Sequence, residues 1–147
     1  LLATGISHAD IAIRVLMERS RAGSLLKARL VSAIQFHADG RLALSTCDLG
    51  TLRELDAGTY DFDGIVEALL YIEGVEMGVL ATERGPDTVK LSLRSRGGVD
   101  VAALAKQLHP SGGGHAKAAG VVLNESIASV RETLAHRLAA VLERLSP

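Results

Sequence analysis

Apolar and polar positions alternate with a period of two over residues 89–94: Val89, Leu91 and Leu93 on one side, Lys90, Ser92 and Arg94 on the other. That period marks a strand with one buried face. Lys90 and Arg94 exclude burial on both faces, so the second face meets solvent or a ligand. A preceding strand is expected from residue 75 to about 82, joined through a Gly85-Pro86-Asp87 turn. Asp39-Gly40 sits between two further apolar runs, which is the strongest short hairpin signal and predicts a strand on each side. Val121-Val122-Leu123 reads as a returning strand.

Helical spacing accounts for most of the rest. Ser7 with Asp10 resembles a capping box opening a helix through about Arg19, with Ile11, Val15 and Leu16 as its stripe. A second short helix is expected over residues 24–30. Residues 48–72 predict two helices parted near Gly58, the second starting around Asp61 or Asp63 and burying Ile65, Val66, Leu69 and Leu70. Asp100 occupies an N-cap position ahead of Val101, Leu104 and Leu108. A final helix over about 125–145 turns Ile127, Val130, Leu134, Leu138 and Val141 inward. The fold class is therefore α/β: a mixed sheet of about four to five strands with flanking helices.

Composition narrows this picture. A chain of 147 residues with 48% apolar residues can bury one full-sized core or two small lobes, and with 3% aromatics and no Trp that core is aliphatic. The single cysteine, Cys47, excludes an internal disulfide framework and fits a reducing cytoplasm. No apolar run reaches the roughly 18 residues of a membrane span, and Leu1-Leu2-Ala3 carries neither a basic leader nor a starting Met. The start is read as that of a chain cut from a longer parent or trimmed at its end.

The net charge of −1 argues against a general nucleic-acid coat, but it is unevenly spread. Residues 48–83 carry one basic and nine acidic groups, whereas residues 84–117 carry six basic and two acidic. The positive stretch converges on Ser111-Gly112-Gly113-Gly114-His115-Ala116-Lys117. Consecutive glycines bare their backbone N–H groups, and a His and a Lys at once beyond them suit the approach to a phosphate. Arg94-Ser95-Arg96-Gly97-Gly98 precedes this run by one short helix, which lets both segments lie near one end of the sheet. An arginine fork donates two parallel hydrogen bonds to phosphate. The compact patch fits a terminal nucleotide or short strand better than a long duplex.

Each of these features has a plainer reading: a tight helix-to-strand connection for the glycines, and solvent-facing strand ends for the arginines. Their concentration within some twenty-five residues favours a ligand. His8-Ala9-Asp10, His37-Ala38-Asp39 and Asp61-Phe62-Asp63 read as caps and turns, and Cys47 has no CxxC partner. No nucleophile elbow, Walker loop or zinc signature is present, and no cluster of metal ligands is visible in the sequence.

Residues 89–101, followed by Gly112-Gly113-Gly114-His115-Ala116-Lys117-Ala118-Ala119-Gly120, resemble the DHH-associated C-terminal domain of DHH-family phosphoesterases, in particular the nanoRNase and pAp-phosphatase branch. The resemblance implies that residues 1–30 are linker helices leaving a missing N-terminal DHH catalytic domain, and that residues 31–147 are a substrate-binding domain. It implies manganese in that other domain, no catalytic or metal-ligating residue in this chain, and no activity for the fragment alone. Arg94, Ser95, Arg96, Gly112, Gly113, Gly114, His115 and Lys117 are the implied substrate-binding residues. The resemblance admits an RNA dinucleotide, pAp or a linearised cyclic dinucleotide as substrate, with a homodimer as a further possibility and no membrane partner. His109-Pro110-Ser111 stands where relatives often have an aromatic and a further glycine, and Ala116 where they often carry a basic residue. Two other readings stay open: a stand-alone nucleotide- or RNA-binding module, and a structural or dimerisation domain.

Overall fold

The computed structural model describes residues 18–144, so the capping box expected at Ser7 and Asp10 lies outside the described residues. In chain order the elements are α1 (Arg21–Ser32), β1 (Gln35–His37), β2 (Leu42–Cys47), α2 (Leu49–Leu55), a 3-10 turn (Thr59–Phe62) and α3 (Ile65–Leu70). There follow β3 (Met77–Gly85), β4 (Thr88–Ser95), α4 (Val101–Leu108), β5 (Gly113–His115), β6 (Ala118–Leu123) and α5 (Ile127–Arg144). The strands form one sheet in the order β1-β2-β3-β4-β6-β5.

The Asp39-Gly40 hairpin forms as expected, with Gln35 opposite Leu44 and His37 opposite Leu42. From β2 the chain crosses through α2, the 3-10 turn and α3 to reach β3, which pairs parallel to β2. Parallel neighbours need such a long crossover. The remaining ladders are antiparallel. The expected sheet of four to five strands becomes six. The extra strand is the glycine run itself: Gly113–His115 is not a loop at a sheet end but the outer edge strand, hydrogen-bonded along β6.

The alternation in β4 divides the two faces. Leu91 and Leu93 join Leu42, Leu44, Val79 and Val121 in a core closed by α4 and α5. Asp100 caps α4 as its position predicts, accepting from the amides of Ala102 and Ala103. On the opposite face α1 and α3 pack over β2 and β3: Leu26, Leu30, Ile65 and Val66 meet Cys47 and Leu80. The boundary expected at residue 30 therefore falls inside α1, whose Leu26 and Leu30 belong to the core of the domain. Ser20 begins that helix by accepting from the amide of Gly23. Beyond α3 this second face is open: Lys90 and Val122 are exposed, and Ser92, Arg94, Ala118 and Gly120 are half-buried.

Candidate functional site

Register places the sequence-predicted residues. Arg94 lies opposite Ala118, and Ala118 opposite His115, so the three form one row across β4, β6 and β5. Directly opposed residues of antiparallel strands project from the same face. Arg94 and His115 thus look out from the open face, about 10 Å apart at two strand spacings. The next row is Ser92, Gly120 and Gly113. Apart from the Ser92 hydroxymethyl it carries no side chain, and it forms a bare trench across three strands. Beyond it stands the row of Thr82, Lys90 and Val122.

The three glycines differ in what they do. A β-carbon on Gly112 would stand 2.1 Å from the carbonyl oxygen of Ala105, so Gly112 lets the chain pass directly over α4. Gly114 has φ +140°, and a β-carbon there would stand 2.5 Å from the carbonyl oxygen of Ala118. Gly113 has neither constraint, and a β-carbon would meet nothing within 4 Å. The fold needs Gly112 and Gly114 for itself; at Gly113 the missing side chain leaves open surface.

The cations divide in the same way. Arg96 donates through Nε to the carbonyl of Val75 and through its terminal nitrogen to that of Ile72 at 2.7 Å, so its fork grips the turn before β3. Lys117 Nζ donates to the carbonyls of Gly97 and, at 3.1 Å, Val99. Ser95 is buried, and its hydroxyl lies 2.8 Å from the carbonyl oxygen of Val99. With Ser95 N donating to Lys117 O at 3.1 Å and Val101 N to Ala116 O at 2.9 Å, these residues stitch the two motif segments together. Arg94 is paired with Glu67 on α3 through Nε at 2.8 Å. His115 is exposed on the edge strand.

Sequence reasoning missed a cavity of about 350 Å³ between the segment 59–67 and the open side of β3 and β4. Arg84, Lys90, Ser92 and Arg94 line its sheet side, and Tyr60, Phe62 and Glu67 its outer wall. Arg84 lies over the ring of Phe62, 5.6 Å from its centre. Alternation in β4 had marked Lys90 as outward-facing; nothing local marks Arg84 or Tyr60. The cavity opens beside Ser92, at the inner end of the trench.

The described residues do not fit a metal centre: no three His, Cys, Asp or Glu side chains gather as ligands among them. Cys47 is buried, and desolvation pushes its thiol up to about 11, which keeps it protonated and out of nucleophilic chemistry. No helix among the described residues is long and apolar enough to cross a membrane. The face presents bare backbone, an imidazole, a guanidinium and an adjoining cavity with cationic walls.

A family model described as DHHA1 domain matches residues 43–144. Over 123 residues the chain is 34% identical to the bifunctional oligoribonuclease and PAP phosphatase NrnA of Thermus thermophilus, covering 84% of this chain and 35% of that protein. The chain thus spans about a third of the length of the curated relative it matches. Among solved structures, an exopolyphosphatase-related protein from Bacteroides fragilis superposes with a TM-score of 0.80 at 26% identity, over 97% of this chain and 42% of that one. The pGpG-specific phosphodiesterase PggH from Vibrio cholerae superposes with a TM-score of 0.60 over 97% of this chain and 48% of that one. At 15% identity that second likeness is one of fold.

Proposed function

We propose that this chain, which belongs to the DHHA1 domain family, is the substrate-holding part of a larger phosphoesterase that acts on short oligoribonucleotides or nucleotide phosphates. In this reading the outer edge of Gly113–His115, which pairs with no strand among the described residues, offers backbone donors to a phosphate at the end of the trench. His115 supplies a ring donor or a stacking surface at its edge, and Arg94 adds positive charge at the other end of the row. Ser95 and Lys117 act through position, holding the two segments in register, and Arg96 anchors the strand end to the turn before β3.

Hydrolysis belongs to another part of the protein. A DHH domain preceding this one would hold manganese and supply the metal's activation of water; the described residues of this chain bind and orient the substrate only. A cytoplasmic setting is part of the same proposal and rests on the lone cysteine. The observation that carries the reading is Gly113, a glycine that the fold does not need, facing open space in the row next to that of Arg94 and His115.

The test is a titration of the chain with 5′-phosphorylated diadenylate, followed by backbone amide NMR. Shifts centred on residues 92–94, 113–115 and 118–120 are expected, and Gly113→Val and His115→Ala should abolish them. Shifts confined to other surfaces, or none at millimolar ligand, would overturn the reading.

A further inference from the structure

The trench does not stop at β4. Ser92 closes its inner end and is also part of the cavity wall, so bare sheet and cavity form one continuous track. From β5 to β3 that track crosses three strand spacings, about 15 Å. This is longer than one nucleotide requires, and the cavity's volume of about 350 Å³ is near the small end of ligand sites.

The charges along the track are committed unequally. Arg94 is held by Glu67, and Arg29, Arg41, Arg131 and Arg137 each face a carboxylate. Among the described residues Arg84 and Lys90 find no ion-pair partner and no hydrogen-bond acceptor, although both line the same cavity. The guanidinium of Arg84 rests on Phe62, leaving its edge donors unspent. Of the two carboxylates that the described residues place on the wall, Glu67 already serves Arg94, which leaves Asp63 opposite two uncommitted cations. Tyr60 stands at the cavity rim with 95% of its surface exposed, in a chain with only four aromatic residues. An exposed ring beside cations and hydroxyls is the chemistry that receives a base, a sugar and a phosphate.

Building on the function proposed above, we infer that this cavity is a second nucleotide subsite. It takes the next unit of a short strand whose first unit lies on the glycine trench. Arg84 and Lys90 meet its phosphate, Ser92 faces its sugar, and the Tyr60 ring stacks on its base. The domain then prefers strands of two or more nucleotides over a single one, and the preference resides in side chains separate from the glycine motif.

Binding of adenosine 5′-monophosphate and of 5′-phosphorylated diadenylate to this chain tests the inference, with Lys90→Glu, Tyr60→Ala and Gly113→Val as variants. Lys90 and Tyr60 are exposed, and an unchanged amide spectrum away from the cavity verifies folding in each case. Lys90→Glu should weaken the dinucleotide at least tenfold and leave the mononucleotide within twofold. Tyr60→Ala should act in the same sense by a smaller factor. Gly113→Val should weaken both ligands. Equal loss for both ligands in Lys90→Glu, or no loss for the dinucleotide, overturns the second subsite while Gly113→Val still supports the trench. Binding that ignores Gly113→Val overturns the trench, and with it the function on which this inference rests.

Discussion

Gly112 lies so close to Ala105 that a β-carbon on it would overlap that residue's carbonyl oxygen, 2.1 Å away. Its neighbour Gly113, one residue on, has open space in the same test. Substitutions at these two adjacent glycines should therefore fail differently. Gly112→Ala must push β5 away from α4, and overpacking of this kind costs roughly 1–3 kcal/mol. Its melting temperature should drop, with ligand affinity lost only as the fold is lost. Gly113→Val should melt close to the parent, since an edge strand accepts a β-branched residue, yet bind nucleotide far more weakly. Thermal melts and titrations on the same two samples check both halves.

Lys117 looks like a phosphate ligand in the sequence, but its ammonium group serves the carbonyls of Gly97 and Val99. Lys117→Met should cost about 1 kcal/mol of stability and speed hydrogen exchange at the amides of Ser95 and Val101, which bond across the same junction. A lysine that touches phosphate contributes close to one unit to the salt dependence of binding. Because Lys117 is spent on the backbone, the slope of log affinity against log salt should not change in the variant. Exchange rates and a salt series measure the two effects separately.

What could be read from the sequence follows from where the information lies. Residues 89–94 carry their own period, Asp39-Gly40 its own turn chemistry, and Asp100 its own cap, and all three form as expected. β5 was missed because glycines have no side chain and hence no period; only the approach of β6 makes them a strand. The same blindness hides the difference between Gly112, Gly113 and Gly114, which is set by Ala105 on α4 and Ala118 on β6. Sequence shows the charges of Arg96 and Lys117 but not the carbonyls of Ile72, Val75, Gly97 and Val99 that occupy them. The cavity is least legible, since Phe62 and Arg84 come together only when the crossover folds back on β3.

Glu67 holds the guanidinium of Arg94 at 2.8 Å, and both side chains are about a third exposed. The pair neutralises the one arginine that shares a row with His115. Glu67→Gln should keep a hydrogen bond to Arg94 while removing the negative charge from the cavity wall. Affinity for an anionic ligand should then rise about three- to tenfold at low salt, as expected when a partly screened unit charge a few ångströms away is lost, and the gain should shrink as salt is added. Arg94→Ala should lower affinity at least tenfold. Calorimetric titration with 5′-phosphorylated diadenylate at two ionic strengths reads both changes.

Asp48 ties the two sides of the sheet together. It caps α2 through the amide of Thr51 and accepts from Arg131 of α5 at 2.9 Å. The hydrogen bond from Arg131, followed by that from the Thr51 amide, holds the carboxyl at about 2, below its ordinary value of 3.8. A carboxyl with a depressed folded-state value stabilises the fold above its unfolded value, and that contribution is lost as pH falls through the folded one. The stability difference between the parent and Arg131→Met should accordingly be constant above about pH 5, narrow from pH 4 downward, and be reduced to a minor remainder at pH 2. Both partners are substantially exposed, at 45% and 32%, which limits the plateau to about 1 kcal/mol or less. Urea unfolding midpoints for the two proteins between pH 2 and pH 7 trace the curve. A difference that stayed constant to pH 2 would mean that Arg131 stabilises by packing and its bond to Thr46 rather than through the charge of Asp48.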